Sequence, residues 1–155
     1  MSLVNASVER KILVVEDDPL LLGAITEYLR NSAFHVLPTR DREEAIFLIN
    51  SGSPNAVLSD LYLSEGTRPD GLEIAFEAWQ HAIPAALMTG YSTSGVRSDS
   101  RLQRILTLIE KPVSLPTVRE VAEKMLAGKP AHPTNQDYWG LLQQFAPWMV
   151  TRRDD

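Results

Sequence analysis

Asn55-Ala56-Val57-Leu58-Ser59-Asp60 is a short aliphatic and β-branched run that ends abruptly in a carboxylate, and a polar loop punctuated by Gly and Pro follows from Leu61 to Asp70. Apolar runs of this length bounded by turn signals read as buried strands. Asp60 is therefore expected at a strand's C-terminal end, where open parallel α/β sheets bind ligands. Taken alone, an Asp opening a loop is more often a turn former or helix cap. Three other segments end in a comparable way. Lys11-Ile12-Leu13-Val14-Val15 runs into Glu16-Asp17-Asp18-Pro19, Pro84-Ala85-Ala86-Leu87-Met88 into Thr89-Gly90, and Ile105-Leu106-Thr107-Leu108-Ile109 into Glu110-Lys111-Pro112. If these strands lie parallel in one sheet, three acids, a hydroxyl and a lysine converge on one edge.

The segments between them carry helical spacing. Pro19 falls where a helix can begin, with Leu20, Leu21, Ala24, Ile25, Tyr28 and Leu29 following and Asn31-Ser32 stopping it. Phe34 to Leu37 reads as a second short strand. Asp41 looks like an N-cap with Glu44 as its capping-box partner, ahead of a helix from Arg42 to Asn50. Gly71 opens a third helical pattern, the Ser- and Gly-rich stretch from Tyr91 predicts a weakly formed, mobile helix around Asp99 to Arg104, and Thr117 to Ala127 is strongly patterned. Strand and helix thus alternate five times, which implies a doubly wound α/β sheet with right-handed crossovers.

Composition narrows the classes. The chain has 155 residues, 44% hydrophobic and 23% charged, enough for one globular domain with a sizeable core and a short appendage. A net charge of −5 argues against a nucleic-acid surface as its main business. Without cysteine there is no disulfide frame, thiolate nucleophile or Cys-based zinc site. The N-terminus lacks a signal-peptide pattern and no apolar run approaches a membrane span, so a cytoplasmic, soluble protein is the default expectation. His35, His81 and His132 show no ligand spacing, and structural or surface roles are expected for them.

Ile-Leu-Val-Val-Glu16-Asp17-Asp18-Pro, Val-Leu-Ser-Asp60-Leu, Leu-Met-Thr89-Gly-Tyr and Glu-Lys111-Pro112-Val, in this order and spacing, resemble the four signature segments of the receiver domains of two-component response regulators. The resemblance covers about residues 10 to 127. It implies a flavodoxin-like (βα)5 fold with strand order 2-1-3-4-5, leaving 1-9 as an N-terminal extension and 128-155 as a linker with a short amphipathic helical tail. It further implies that Asp60 takes a phosphoryl group from a histidine kinase or histidine phosphotransfer protein in an Mg²⁺-dependent reaction. On this match, Glu16 and Asp17 are the acidic pair that holds the metal with Asp60 and the Tyr62 backbone carbonyl. Thr89 hydrogen-bonds the bound phosphoryl group, Lys111 ion-pairs with it, and Pro112 follows through a cis peptide bond.

The chemistry of these side chains agrees with those roles. Clustered carboxylates repel, which raises a pKa or demands a cation. Mg²⁺ suits a few oxygen ligands and bridges readily to phosphate. Phosphoryl transfer asks for positioning and charge neutralisation, and carboxylates are established nucleophiles in it. Each residue also has a plainer reading: Glu16 and Asp17 as a helix's acidic N-terminus, Thr89-Gly90 as a turn, Lys111 as a solvated charge, Pro112 as a breaker.

This chain departs from the family pattern in places. The loop from Asp60 to Gly71 is longer than usual and carries Glu65, Arg68 and Asp70. Leu108 stands where an aromatic commonly couples rotation to phosphorylation. Tyr62 and Tyr91 flank the family's line of water attack, so their bulk is expected to slow hydrolysis of the phosphorylated form. In the tail, Gly128 to Pro133 is linker-like, and Tyr138, Leu141, Leu142, Phe145 and Met149 recur at helical spacing until Pro147 kinks or ends the helix. The tail is too small for an independent DNA-binding output domain. It is expected to pack on its own receiver or on a dimer mate, with a detachable anchor for an effector as the sharper reading.

The favoured function is a phospho-acceptor switch that works through protein contacts rather than as an enzyme. The alternatives are a receiver module of a larger regulator and an aspartate-nucleophile phosphohydrolase. The latter usually has a second acid two residues after the nucleophile, where this chain has Tyr62. A partner-binding domain that is never phosphorylated fits poorly with an intact set of Asp60, Thr89 and Lys111.

Overall fold

The computed structural model describes residues 10–63, 68–90, 106–128 and 133–146. In chain order they form β1 (Lys11–Val15), α1 (Pro19–Arg30), β2 (His35–Thr39), α2 (Arg42–Asn50), β3 (Ala56–Asp60), α3 (Asp70–Gln80), β4 (Ala85–Thr89), β5 (Thr107–Glu110), α4 (Leu115–Ala127) and α5 (Asn135–Phe145). The strands make one parallel sheet in the order β2-β1-β3-β4-β5. This is the doubly wound topology expected from the sequence. Among the described residues, no helix is long and apolar enough to cross a membrane.

A parallel sheet needs helices on both faces, so its inner strands are apolar on both sides rather than alternating. Every residue of β3 and β4 is buried. On one face Ile12, Val14, Leu58 and Met88 pack with Ile25 and Leu29 of α1 and Val118 and Ala122 of α4. On the other, Leu13, Val57 and Leu87 pack with Ala45 and Ile49 of α2, Leu72 and Ala75 of α3, and Leu141, Leu142 and Phe145 of α5. Fully buried side chains such as Leu58 and Leu87 each contribute roughly 1.5–3 kcal/mol relative to exposure. The tail helix therefore joins the core of its own chain, one of the two placements its stripe allowed.

Several boundaries differ from the sequence reading, each for a local reason. β2 continues through Pro38 to Thr39, beyond the expected end at Leu37. It is an edge strand, and the amides of His35 and the carbonyl of Thr39 turn toward β1, so the alternate positions Val36 and Pro38 face outward. The proline leaves no gap in the ladder. α2 keeps its Asp41 cap, which accepts from Glu44 N at 2.9 Å, but the reciprocal half of the box is absent. Glu44 bonds instead to the Thr39 hydroxyl, which also accepts from Asp41 N at 3.2 Å. α4 begins at Leu115, two residues early, because Ser114 caps it and Pro116 fits its first turn. β5 begins at Thr107. The helix expected around Asp99 to Arg104, together with Glu65, Tyr91, Pro147, Trp148 and Met149, lies outside the described residues.

Candidate phosphoryl and metal site

The sheet's C-terminal edge is where the chemistry-bearing side chains collect. Glu16, one residue past β1, is wholly buried. Its backbone N–H donates to Thr39 O at 3.1 Å, and its Oε2 accepts from Asp18 N at 3.0 Å. The adjacent Asp18 is occupied elsewhere: its Oδ1 caps α1 by accepting from Leu20 N at 3.0 Å. Asp17, between them, is half-buried and has its carbonyl held by the Arg40 guanidinium at 3.0 Å. Asp60 ends β3 and is buried, with the Tyr62 backbone N–H turned to its carboxylate.

Carboxylate oxygens of Glu16, Asp17 and Asp60 all lie within 4.8 Å of one another. Lys111 enters from β5, its backbone N–H fixed to Thr89 O at 2.8 Å. Its Nζ reaches Glu16 Oε1 at 3.0 Å and Asp60 Oδ2 at 3.1 Å. The Lys111-Pro112 peptide bond is cis. Thr89 ends β4 and is buried, one position beyond Met88, which pairs with Asp60 in the ladder. The four segments singled out in the sequence thus meet at one edge.

Burial pushes the Asp60 carboxyl above its usual range; the Lys111 charge and hydrogen bond oppose that, and Asp17 reinforces it. Glu16 is likewise raised, by burial first, against the Asp18 amide and Lys111, with Asp60 adding to the rise. Burial alone would lower Lys111, but its hydrogen bond to Glu16 and the charges of Asp60 and Glu16 outweigh it, so the ammonium is held more firmly. Among the described residues, the carboxylates of Glu16, Asp17 and Asp60 cluster together and the Lys111 ammonium contacts two of them, which leaves an excess of negative charge in a partly dry place. Glu16 Oε1 is buried against the Lys111 ammonium at 3.0 Å. A hard divalent cation with oxygen ligands suits this donor set and offsets its excess negative charge.

Behind the edge, Gly71 sets how closely α3 approaches. Its N–H donates to Leu61 O at 2.9 Å, and a Cβ there would come within 2.0 Å of the Asp60 carbonyl oxygen. Only glycine lets the helix start against the peptide that carries Asp60. On the far side of the loop, the Tyr62 hydroxyl donates to the Phe145 carbonyl at the end of α5. This contact was not foreseen: the sequence reading gave Tyr62 a backbone role and set its ring across a line of water attack, whereas the hydroxyl is engaged by the tail. A Tyr in that loop and an apolar stripe in the tail were both visible, but nothing local linked them.

The model of the response regulator receiver domain family matches residues 12–123. The nitrogen assimilation regulatory protein NtrX of Azorhizobium caulinodans is 25% identical over 117 residues, 74% of this chain and 26% of that protein. The transcriptional regulatory protein PdtaR of Mycobacterium tuberculosis is 26% identical over 113 residues, 72% of this chain and 54% of that protein. The chain thus spans about a quarter and about half the length of these curated relatives. A response regulator receiver protein from Sinorhizobium medicae shares the fold with a TM-score of 0.67 at 21% identity, covering 79% of this chain and 98% of that one. The receiver domain of PhyR from Erythrobacter litoralis does so at 0.64 and 21%, covering 83% and 98%. With the family model spanning most of the sequence and the topology matching, the chain belongs to the response regulator receiver domain family.

Proposed function

We propose that Asp60 accepts a phosphoryl group from a phosphohistidine and that its phosphorylation switches the contacts this domain makes with other proteins. The observation that carries this reading is the double reach of Lys111, whose Nζ lies about equally close to Glu16 and Asp60 at the rim of a three-carboxylate cluster. In the transfer, an ionised Asp60 Oδ attacks phosphorus as the bond from phosphorus to the histidine nitrogen breaks, and that nitrogen keeps the electron pair. Lys111 holds its proton and faces the phosphoryl oxygens that displace it from Asp60. The Thr89 hydroxyl, at the end of the neighbouring strand, donates to one of those oxygens. Glu16, Asp17, Asp60 and the Tyr62 carbonyl are the groups that would hold Mg²⁺. Held there, such an ion would supply positive charge to offset that of the transferring oxygens.

Residues 10–127 form the acceptor unit in this reading, and 128–155 its regulatory appendage, with 1–9 as a leading extension. The partners are a histidine kinase or phosphotransfer protein upstream and an effector protein downstream. In this reading the chemistry of these residues is the gain and loss of the phosphoryl group.

The test is direct. With Mg²⁺ and a small phosphodonor, intact mass should show one added phosphoryl group, and Asp60→Asn should remove it. Lys111→Ala should slow its arrival severely. Phosphorylation that persists in Asp60→Asn would sink the assignment.

A further inference from the structure

α5 starts as a self-contained turn and ends tied to the acceptor loop. Thr134 Oγ1 accepts from Asp137 N at 3.1 Å, and the Asp137 carboxylate accepts from Thr134 N at 2.8 Å, a complete capping box. Farther along, the Tyr138 ring stands 4.4 Å from that of Phe76 on α3. Leu141, Leu142, Phe145 and Ala146 are buried, the first three in one cluster with Leu61, Leu63 and Leu106. The Phe145 carbonyl, at an end where helix carbonyls lack partners within the helix, accepts from the Tyr62 hydroxyl. Seven residues of helix span roughly 10 Å. α5 therefore runs back beside α3 with its C-terminal end at the edge that carries Asp60.

Resting on the phosphoryl-acceptor reading of Asp60, we infer that α5 is a cover released by phosphorylation, with Tyr62 as the link. Tyr62 serves both regions at once: its backbone N–H faces the Asp60 carboxylate and its hydroxyl holds α5. A backbone shift at residue 62 that accommodates new phosphoryl oxygens passes along one rigid ring to Phe145. Charge sets the direction. A helix C-terminus carries about half a negative charge, and a phosphoryl group adds roughly −1.5 to −2. Placing the second within a tyrosine's reach of the first opposes docking. α5 also has little stability apart from its seat, because it is 11 residues long and isolated helices shorter than about 12–15 residues are marginal in water. Undocking and unwinding are then one event. Release bares Phe76, Leu63 and Tyr62, so the state of one carboxylate decides whether an apolar face is open.

Hydrogen exchange on the full chain in Mg²⁺, with and without a small phosphodonor, tests this, with intact mass reporting phosphorylation of the same samples. Amides of residues 137–146 should exchange roughly fivefold or more faster once the phosphoryl group is on, while those of β3 and β4 keep their protection. In Tyr62→Phe, which loses only the hydroxyl, α5 should exchange faster before phosphorylation and gain less from it. A phosphorylated chain whose α5 protection is unchanged or higher overturns the inference. So does a release that is undiminished in Tyr62→Phe. A wild-type chain that takes up no phosphoryl group fails at the earlier step, and the acceptor reading falls with the inference.

Discussion

The carboxylate edge and the seat of α5 adjoin at Leu61 and Tyr62, yet opposing forces hold them. At the edge, Glu16 and Asp60 are buried beside each other and both are pushed toward the neutral form, with Lys111 as the counterweight. At the seat, Leu141 and Leu142 are covered by aliphatic and aromatic neighbours, and the Tyr62 hydroxyl ties α5 to the loop after β3 through the Phe145 carbonyl. The edge is where folding free energy is given up to keep charges poised; the seat is where apolar burial restores some of it. A cluster of buried like charges suits a cation, whereas an apolar seat is satisfied as it stands. On the function proposed above, the first responds to ions and phosphoryl groups, and the second through what it touches.

Perturbing the edge should produce the largest effect. A divalent cation at a hundred times its dissociation constant stabilises by about 2.7 kcal/mol. Thermal unfolding should therefore shift upward with Mg²⁺ in the wild type and far less in Asp60→Asn. The sign for the metal-free protein follows from the raised pKa. A carboxyl whose folded pKa exceeds its unfolded value stabilises below the unfolded value, and that stability is lost as pH rises through the folded one. At neutral pH the Asp60 charge is thus a net cost, and Asp60→Asn should melt higher than wild type when no cation is present. A lower melting temperature would erase the contrast between the two regions.

Perturbing the seat separates them. Leu141→Ala removes a fully buried side chain and should cost about 2 kcal/mol in urea unfolding, the low end for such a change because α5 can lift away rather than leave a sealed cavity. Phosphoryl uptake at saturating donor should survive, whereas loss of uptake would merge seat and edge into one unit. The smallest effect concerns Tyr138, whose hydroxyl is pushed up to about 12 by burial, with Glu73 adding to the rise. Its contribution is intact below pH 10 and fades as pH climbs from about 10 to 12. Fluorescence of Trp139, beside Tyr138, should report α5 loosening in that window, and Tyr138→Phe should remove this part of the alkaline response.

The edge was legible in the sequence and the seat was not, for a physical reason. Each inner strand is a short apolar run with its chemistry at the last residue, so a pattern local in the chain specifies both the strand and its reactive end. That sufficed to bring Glu16, Asp17, Asp60, Thr89 and Lys111 to one edge before any topology was known. The second strand ran past its expected end at Leu37 because the cost of Pro38 depends on which side of the strand its nitrogen faces, a property of the sheet order. Glu44 misled because the Thr39 hydroxyl competed for it. The α5 stripe announced an amphipathic helix, but its partners, Phe76 on α3 and Tyr62 in the acceptor loop, lie more than sixty positions away along the chain. Nothing periodic encodes such a pairing.

Pro38 carries one further consequence. A strand at the rim of a sheet offers its outward amides to any extended segment that drifts past, and so seeds fibres. Of the two rim positions in β2 that turn away from β1, Val36 and Pro38, the second has no hydrogen to give. An incoming strand would find one of these two amide hydrogens missing, so the proline ring weakens this rim as a template for pairing with other copies of the domain when it is crowded.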